Sequence, residues 1–184
     1  MNKYQFPSIF DIHTIVFDFD GVFTNNKVYT NQNGLEMIRC DKSDSLGINI
    51  LKNFIKKNDL DLDIFVLSKE ENPVVKTRCN KMKLKCFSGI NNKLKYLHEY
   101  LNNDRINEMN NPFQGLIYLG NDLNDLEIMS TSCFAVAPNN GHELIKKISN
   151  VVLKHNGGEG FVREFVEELI PLNKEGVSDL LSIL

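Results

Sequence analysis

Two aspartates separated by a single residue, Asp18 and Asp20, directly follow a short apolar run, residues 14–17. Such a run is typical of a fully buried strand, and Gly21 then permits a sharp turn. Because two carboxylates this close repel each other, they require a compensating charge, which a hard divalent cation such as Mg²⁺ usually supplies. Chance pairs of aspartates occur in surface turns, but an open α/β sheet carries its chemistry at strand ends like this one. The stretch therefore indicates a metal-assisted site.

Two more apolar segments also end in polar residues. Ser68 follows residues 62–67, and Asn121 follows residues 115–119. A serine after a strand is often only a turn or cap residue. Asp122 and Asp125 equally fit the acidic first turn of a helix, which the helix dipole favours. Lys93 and Lys95 open a predicted helix, where most lysines are simply surface residues. From the residues alone, these alternatives stay open.

Composition narrows the class of protein. The 184 residues predict one domain, 1–184, with its core over about 12–170. A formal net charge of −3 gives no basic patch for nucleic acid. No apolar run is long enough to span a membrane, and the N-terminus has no signal peptide pattern. The four cysteines form no C-x-x-C pair, which predicts reduced thiols, no zinc site and a cytoplasmic protein. They are Cys40, Cys79, Cys86 and Cys133.

The run Asp18-Phe19-Asp20-Gly21-Val22-Phe23-Thr24 resembles the first motif, D-x-D-G-V-x-T, of haloacid dehalogenase (HAD) superfamily phosphatases. Its ending is similar to the capless branch of that superfamily. The branch holds 3-deoxy-manno-octulosonate (KDO) 8-phosphate phosphatases, nonulosonate 9-phosphate phosphatases, and the phosphatase-like domain of CMP-sialic acid synthetases. The resemblance implies a Rossmann-like α/β fold with a central, mostly parallel sheet, helices on both faces, a β-hairpin flap and no cap domain.

The resemblance also implies a role for each polar strand-end residue. Asp18 is the expected nucleophile and Asp20 the general acid and base, while Ser68 and Lys93, rather than Lys95, bind the phosphoryl group. The expected cofactor is Mg²⁺. Its expected ligands are Asp18, Asp20 through its backbone carbonyl, and Asn121, with Asp122 as a neighbouring candidate and Asp125 in support. The family usually has an aspartate where this chain has Asn121, so one negative charge is missing.

Four positions, Glu70, Lys81, Glu159 and Thr24, bear on the substrate. Ser68-Lys69-Glu70 and Lys81 resemble the nonulosonate group, and so does Glu159 in the segment G-G-E-G-F-V-R-E. Thr24 is assigned to the same specificity set. The alternative is that Glu70, Glu71 and Lys81 are solvated charges on a helix face.

Other segments are expected to organise the assembly. Residues 27–39, around Asn33-Gly34, predict the hairpin flap. The resemblance implies that this flap and the C-terminal tail, 155–184, complete active sites of neighbouring subunits in a homotetramer. Asp44 fits either a substrate-contact motif or the cap of a helix that begins around Ser45. Residues 1–13 predict a surface lead-in or an edge strand.

The predicted function is therefore Mg²⁺-dependent hydrolysis of a 2-keto-3-deoxy sugar acid phosphate through an aspartyl phosphate. A 9-phosphate of KDN or N-acetylneuraminate, in sialic acid or KDN biosynthesis, is favoured. KDO 8-phosphate, in lipopolysaccharide biosynthesis, is the alternative. A further alternative is a weakly active oligomerisation domain that associates with a CMP-sugar synthetase.

Overall fold

A computed structural model describes residues 5–102, 111–131, 134–170, 181 and 183. The strands within these ranges are β1 (Thr14–Phe17), β2 (Thr24–Thr30), β3 (Glu36–Cys40), β4 (Asp63–Leu67), β5 (Lys85–Phe87), β6 (Leu116–Leu119), β7 (Phe134–Ala137) and β8 (Val151–Val152). The helices are α1 (Lys42–Lys57), α2 (Pro73–Met82), α3 (Lys93–Asn102), α4 (Leu126–Met129), α5 (Glu143–Ile148) and α6 (Phe161–Leu169).

A parallel sheet forms the centre of the fold. In the described part of the chain it has six strands in the order β5-β4-β1-β6-β7-β8. The β1 and β6 strands are buried at every position, as expected for strands covered on both faces. Ile15 and Phe17 pack into one core cluster with α1, α2 and α6, whereas Val16 packs into a second with α3, α4 and α5. The predicted α/β class, with helices on both faces, is confirmed.

The strand order changes direction at β1. Its neighbour on one side is β4 and on the other side β6. Strands β4 and β5 therefore extend the sheet on one side of β1, and strands β6, β7 and β8 extend it on the other. In an open α/β sheet, such a switch point leaves a crevice beyond the carboxyl ends of the strands. Residues that follow β1, β4 and β6 therefore meet at one edge of the sheet.

A separate two-stranded hairpin, β2–β3, follows the turn after β1. In the described residues it is the whole insertion between β1 and α1, so no cap domain lies there. Its strands extend slightly beyond the predicted 27–39. Four apolar side chains on it are between 54 and 65% exposed, namely Val28, Tyr29, Leu35 and Met37. The hairpin therefore projects from the core with an apolar surface.

The structure decides one open alternative and corrects one prediction. Residues 5–13 form a lead-in rather than an edge strand, with a short 3₁₀ turn, Ile9–Asp11, and with Ile9 and Ile12 packed into the core. The helix expected to begin around Ser45 begins at Lys42, with Asp41 as its cap.

Asp44 consequently does not cap its own helix. It accepts a hydrogen bond from the backbone N–H of Arg163, 2.9 Å away in the first turn of α6. Burial raises the pKa of Asp44 to about 6, although the N–H groups of Arg163, Gly160 and Val162 favour its charged form. Asp44 thus ties α1 to the start of α6.

Two features named in the sequence analysis lie wholly or partly outside the described residues: Cys133, and positions 171–180, 182 and 184 of the C-terminal tail. Among the helices that are described, none combines the length and the apolar character needed to cross a bilayer.

Candidate active site

Asp18, Ser68 and Asn121 meet at the edge of the sheet where the strand order reverses. Asp18 directly follows β1, Ser68 directly follows β4, and Asn121 lies one residue beyond Gly120 at the end of β6. Register fixes their proximity, because Phe17 pairs with Val66 on one side and with Leu119 on the other. All three polar side chains are buried. The structure thus brings together three residues that the sequence assigned to one site.

These residues border an open cavity of about 410 Å³. Its lining is polar or charged throughout and includes five acidic residues and one cation, Lys69. The acidic residues are Asp18, Asp20, Glu70, Glu71 and Asp122, and the neutral ones are Asn26, Ser68, Asn121 and Asn124. A cavity with this excess of negative charge suits a cation, because carboxylates gathered together repel each other.

Lys93 lies behind Asp18 and does not itself line the cavity. Its Nζ is 2.7 Å from Asp18 Oδ1 and 2.8 Å from Asp125 Oδ1, and it donates to the Tyr118 hydroxyl at 3.3 Å. An ammonium group has three N–H donors, so these partners use them all. Lys93 therefore orients Asp18 in this structure, whereas the sequence predicted a direct contact with phosphate. Lys95, on the same helix, is exposed.

Asp125 organises the other side of this cluster. It is fully buried and accepts hydrogen bonds from the Tyr118 hydroxyl at 2.7 Å and from the Asn121 N–H at 3.0 Å. Asp122 accepts from the N–H of Leu123 and forms a capping box with Asp125 over a 3₁₀ turn. Asp125 is therefore a buried partner of Lys93, not merely the solvated acid of a helix start. Sequence reasoning missed Tyr118, although a tyrosine in a buried strand needs a partner for its hydroxyl.

Burial controls the protonation of the two aspartates. Burial, and then the charge of Asp125, raises the pKa of Asp18 to about 7 against the opposing charge of Lys93. Burial and the charge of Glu70 also raise the pKa of Asp20. Burial alone would lower the pKa of Lys93, but Asp18 and Asp125 raise it above its ordinary value. Lys93 is therefore a permanent cation in the cluster.

Asn121 provides the test of whether a metal fits. Its Oδ1 is buried without a hydrogen-bond partner. An amide oxygen beside carboxylates is a hard donor set of the kind that Mg²⁺ prefers. Among the described residues, no three His, Cys, Asp or Glu side chains gather closely enough to hold a metal by themselves. That result agrees with a ligand set in which Asn121 and a backbone carbonyl complete the carboxylates, so the residues present fit Mg²⁺.

Glycines allow this turn to close against Asn121. A Cβ on Gly21, whose φ is +79°, would lie 1.9 Å from Asn121 Nδ2. From the opposite side, a Cβ on Gly157 would lie 1.8 Å from the Gly21 carbonyl oxygen. The N–H of Gly158 donates to the Val22 carbonyl at 2.9 Å. The Gly-rich segment, predicted to act on a neighbouring subunit, thus supports the turn of its own chain.

The predicted specificity residues are divided by the structure. Glu70 lies in the loop before α2, lines the cavity, and accepts from the N–H of Asn72 at 2.8 Å. It is therefore not a helix-face charge. Lys81 lies in the last turn of α2, about 12 Å along the axis from the start of that helix, and is exposed outside the cavity. The structure does not bring it to Glu70 within one chain.

Thr24 is also outside the cavity lining. Its hydroxyl oxygen accepts from the N–H groups of Gly21 and Asn26, both at 3.1 Å. This position supports a role in closing the turn that carries Asp20, in place of the substrate contact expected from sequence. Ser68, by contrast, lines the cavity, and its Oγ accepts from the N–H of Glu70 at 3.0 Å. The serine hydroxyl keeps its hydrogen for another acceptor.

Residues 4–165 match the family described as haloacid dehalogenase-like hydrolase. The chain belongs to this family. This HAD hydrolase is 26% identical over 161 residues to the 3-deoxy-D-manno-octulosonate 8-phosphate phosphatase of Escherichia coli K12. The aligned region covers 87% of this chain and 80% of that protein. The predicted family is confirmed, and so is the enzyme class of hydrolase that it shares with this phosphatase.

Solved structures give the same fold. An HAD family hydrolase from Streptomyces avermitilis is 28% identical, with a TM-score of 0.79 over 94% of this chain and 99% of that chain. The Moraxella catarrhalis 3-deoxy-D-manno-octulosonate 8-phosphate phosphatase, solved with magnesium, phosphate and KDO, has a TM-score of 0.75 at 22% identity, covering 89% of this chain and 88% of its own.

A relative of another class also matches. N-acylneuraminate cytidylyltransferase A of Danio rerio is 22% identical over 173 residues, or 92% of this chain. This HAD hydrolase corresponds to only 37% of that longer protein.

Proposed function

We propose that this HAD hydrolase is a Mg²⁺-dependent phosphatase acting on a 2-keto-3-deoxy sugar acid phosphate. The observation that carries the proposal is Asp18, a buried carboxylate at the base of an open polar cavity, with one oxygen fixed by Lys93 at 2.7 Å. A fixed carboxylate facing an open cavity is suited to nucleophilic attack on a bound ester. The E. coli and M. catarrhalis relatives, named as phosphatases of such a sugar acid, support the substrate class.

The reaction would proceed in two displacements. A carboxylate oxygen of Asp18 forms a bond to phosphorus as the bond from phosphorus to the sugar oxygen breaks. Asp20 donates a proton to the departing oxygen, and burial and the charge of Glu70, which raise its pKa, favour the protonated form that this step needs. Asp20 then takes a proton from the water that attacks the aspartyl phosphate, which releases inorganic phosphate and restores Asp18. The Ser68 hydroxyl is free to donate to a phosphoryl oxygen.

Asp18, the backbone carbonyl of Asp20 and Asn121 would hold Mg²⁺, with Asp122 beside them. When bound, the ion offsets the charge of the phosphoryl group and the carboxylates. The orphaned oxygen of Asn121 supports this assignment. Lys93 and Asp125 would keep Asp18 and Asn121 in place, since Asp125 binds the Lys93 ammonium and the Asn121 N–H.

Two substrates of this class have separate support. The acidic Glu70 in the cavity and Glu159 in the Gly-rich segment favour a nine-carbon acid, KDN or N-acetylneuraminate 9-phosphate, by their resemblance to the nonulosonate group. The bacterial relatives favour KDO 8-phosphate. A carboxylate at position 70 accepts hydrogen bonds from sugar hydroxyls and repels an anionic group, so it suits the polyol part of either acid.

The exposed apolar hairpin supports a homotetramer in which neighbours cover the open cavity. Single apolar side chains are common on surfaces, but Val28, Tyr29, Leu35 and Met37 all lie on one projecting element. Arg39, at the base of β3, is 3.4 Å from Glu159, which links the hairpin to the Gly-rich segment. We place the enzyme in the cytoplasm, in keeping with three described cysteines that are free thiols.

A second candidate is a weakly active domain that associates with a CMP-sugar synthetase. Asn121, which removes one charge from the metal site, and the match to the Danio rerio cytidylyltransferase favour it. The intact set of Asp18, Asp20 and Lys93 favours catalysis, because a purely structural domain gains little from a buried ion pair such as that of Asp18 with Lys93.

Phosphate release with Mg²⁺ tests these alternatives. KDN 9-phosphate, N-acetylneuraminate 9-phosphate and KDO 8-phosphate are compared, with Asp18→Asn as the inactive variant and Asp59→Asn, on the exposed loop after α1, as the matched control. We expect release that Asp18→Asn abolishes and Asp59→Asn preserves. Preference for a 9-phosphate that Glu70→Gln reduces would support the nonulosonate assignment, whereas preference for KDO 8-phosphate would reject it. No release from any of them would favour the synthetase partner, to be sought as a complex.

A further inference from the structure

We infer that Asn26 is a specificity-determining residue that binds a hydroxyl group of the substrate beyond the phosphate ester. The inference rests on the proposed phosphatase function. Asn26 lines the cavity but is exposed, whereas Asp18, Ser68 and Asn121 are buried. If the buried end holds the phosphoryl group, the exposed rim meets the remainder of the molecule.

The backbone at Asn26 is held in an unusual conformation. Its φ is 60°, in the left-handed region, and the pairing of β2 with β3 shifts register between Thr24 and Val28. The N–H of Asn26 donates to Thr24 Oγ1 at 3.1 Å, and the N–H of Lys27 donates to Asn25 Oδ1 at 3.2 Å. Irregularities of this kind in a strand pair redirect a side chain and often lie beside active sites.

Contacts with the Gly-rich segment fix the backbone of residues 24–25. A Cβ on Gly158 would lie 2.3 Å from the Thr24 carbonyl carbon and 2.5 Å from the Asn25 nitrogen, so the two backbones are in direct contact. Asn26 is therefore attached to a supported turn, although its side chain is at the surface. A supported attachment lowers the cost of ordering a side chain when a ligand binds.

Asparagine tolerates the left-handed region, but that tolerance does not by itself explain why Asn26 lies at the cavity. Two other non-glycine residues among those described have a positive φ, Asp59 at 47° and Lys83 at 51°. Both serve helix ends: Lys83 is the C-cap of α2, and the N–H of Asp59 donates to Lys56 in the last turn of α1. Neither lines the cavity. Asn26, by contrast, lies within strand β2, so its positive φ does not serve to end a helix.

The chemistry of the cavity favours an amide here. The carboxylates of Asp20, Glu70 and Glu71 can only accept hydrogen bonds when ionised. A sugar hydroxyl donates to one of them and then needs a donor for its own oxygen. The Asn26 amide supplies two N–H donors without adding charge beside the phosphate. The ligand class is thus a polyol chain carrying a phosphate ester.

The test compares Asn26→Gly with the unaltered enzyme on two kinds of ester. Glycine adopts a positive φ freely, so this variant removes the amide and keeps the turn. For KDO 8-phosphate and KDN 9-phosphate we expect kcat/KM to fall roughly 3- to 10-fold, the effect of one hydrogen bond. For p-nitrophenyl phosphate, which has no sugar hydroxyls, we expect less than a twofold change. Asn26→Asp, which keeps the shape but loses the donors, should lower the sugar-phosphate value at least as far.

Asp59→Gly is the matched control, since it makes the same change at a left-handed position away from the cavity, and it should leave both activities unchanged. An Asn26→Gly enzyme with unaltered sugar-phosphate activity would overturn the inference, as would an equal loss on both kinds of ester. If the unaltered enzyme shows no Asp18-dependent release from any ester, the proposed function fails, and the inference with it. Release from the unaltered enzyme without discrimination by Asn26 rejects the inference alone.

Discussion

Replacement of Lys93 by methionine should destabilise the protein more than any change to a surface lysine. The Lys93 ammonium lies 2.7 Å from Asp18 and 2.8 Å from Asp125, and the three side chains are 4% exposed or less. Removal of one partner from a buried ion pair costs about 3–5 kcal/mol. Because two carboxylates lose their partner here, we expect a loss in the upper part of that range. For a domain of this size, it corresponds to a fall in Tm of about 8–20 °C.

The loss should depend on pH in a defined direction. Burial and Asp125 already raise the pKa of Asp18 to about 7, against the opposing charge of Lys93, so loss of Lys93 raises it further. A carboxyl group whose folded pKa exceeds its unfolded value takes up a proton on folding. Its unfavourable contribution is fully present above the folded pKa, shrinks as pH falls below that value, and is gone below the unfolded pKa. The destabilisation should therefore be smaller at pH 5.5 than at pH 8.

Urea unfolding with EDTA present, at both pH values, measures this effect. Lys95→Met is the matched control, since Lys95 lies on the same helix, is 73% exposed, and is 4.0 Å from Glu99. An exposed pair of this kind contributes less than about 1 kcal/mol. The double variant Asp18→Asn/Lys93→Met should recover part of the loss, because it removes one unpaired carboxylate. Equal losses from Lys93→Met and Lys95→Met, or a loss that grows as pH falls, would refute the reasoning.

Two further changes probe the turn and the metal site. Gly21→Ala should lower the free energy of unfolding by roughly 1–3 kcal/mol, since its Cβ would lie 1.9 Å from Asn121 Nδ2. Gly34→Ala is the control for backbone strain alone, because Gly34 has a similar φ of +75° and no atom within 4 Å of the added Cβ. Equal losses of stability in urea unfolding would disprove the collision. Asn121→Asp should lower the Mg²⁺ concentration that gives half-maximal activity, because it adds a negative charge at the proposed site. Asn124→Asp, at the exposed rim of the cavity, should change that concentration less. A Mg²⁺ titration in which Asn124→Asp has the larger effect would reject Asn121 as a ligand.

Local patterns in the sequence predict most of the fold. The central parallel strands β1 and β6 appear as apolar runs because both of their faces are covered, and a polar residue of the site follows closely after each of them. Pro73 at the first position of α2, after the Asn72 cap, fixes where that helix begins. Such signals depend only on residues that are close in the chain, so they can be recognised without knowledge of the tertiary structure.

Contacts between distant segments could not be predicted in this way. Asp44 fits a cap of its own helix equally well, and only the packing of α6 on α1 directs its carboxylate to Arg163. Lys93 was expected at the phosphate, but the fold places Asp125 and Tyr118 within reach of its remaining donors. Lys81 and Glu70 resemble a family pair in sequence, yet the length of α2 separates them within one chain.

The contact between the Gly157–Gly158 segment and the turn after Asp18 has a consequence for the order of folding. The two segments come from opposite ends of the chain, and their backbones touch without side chains between them. During synthesis the N-terminal part leaves the ribosome first, so the turn that carries Asp20 lacks its support until residues 157–158 have been made. The strand β1 would therefore be available well before the turn that follows it is supported, and docking of the Gly-rich segment with α6 would complete the site.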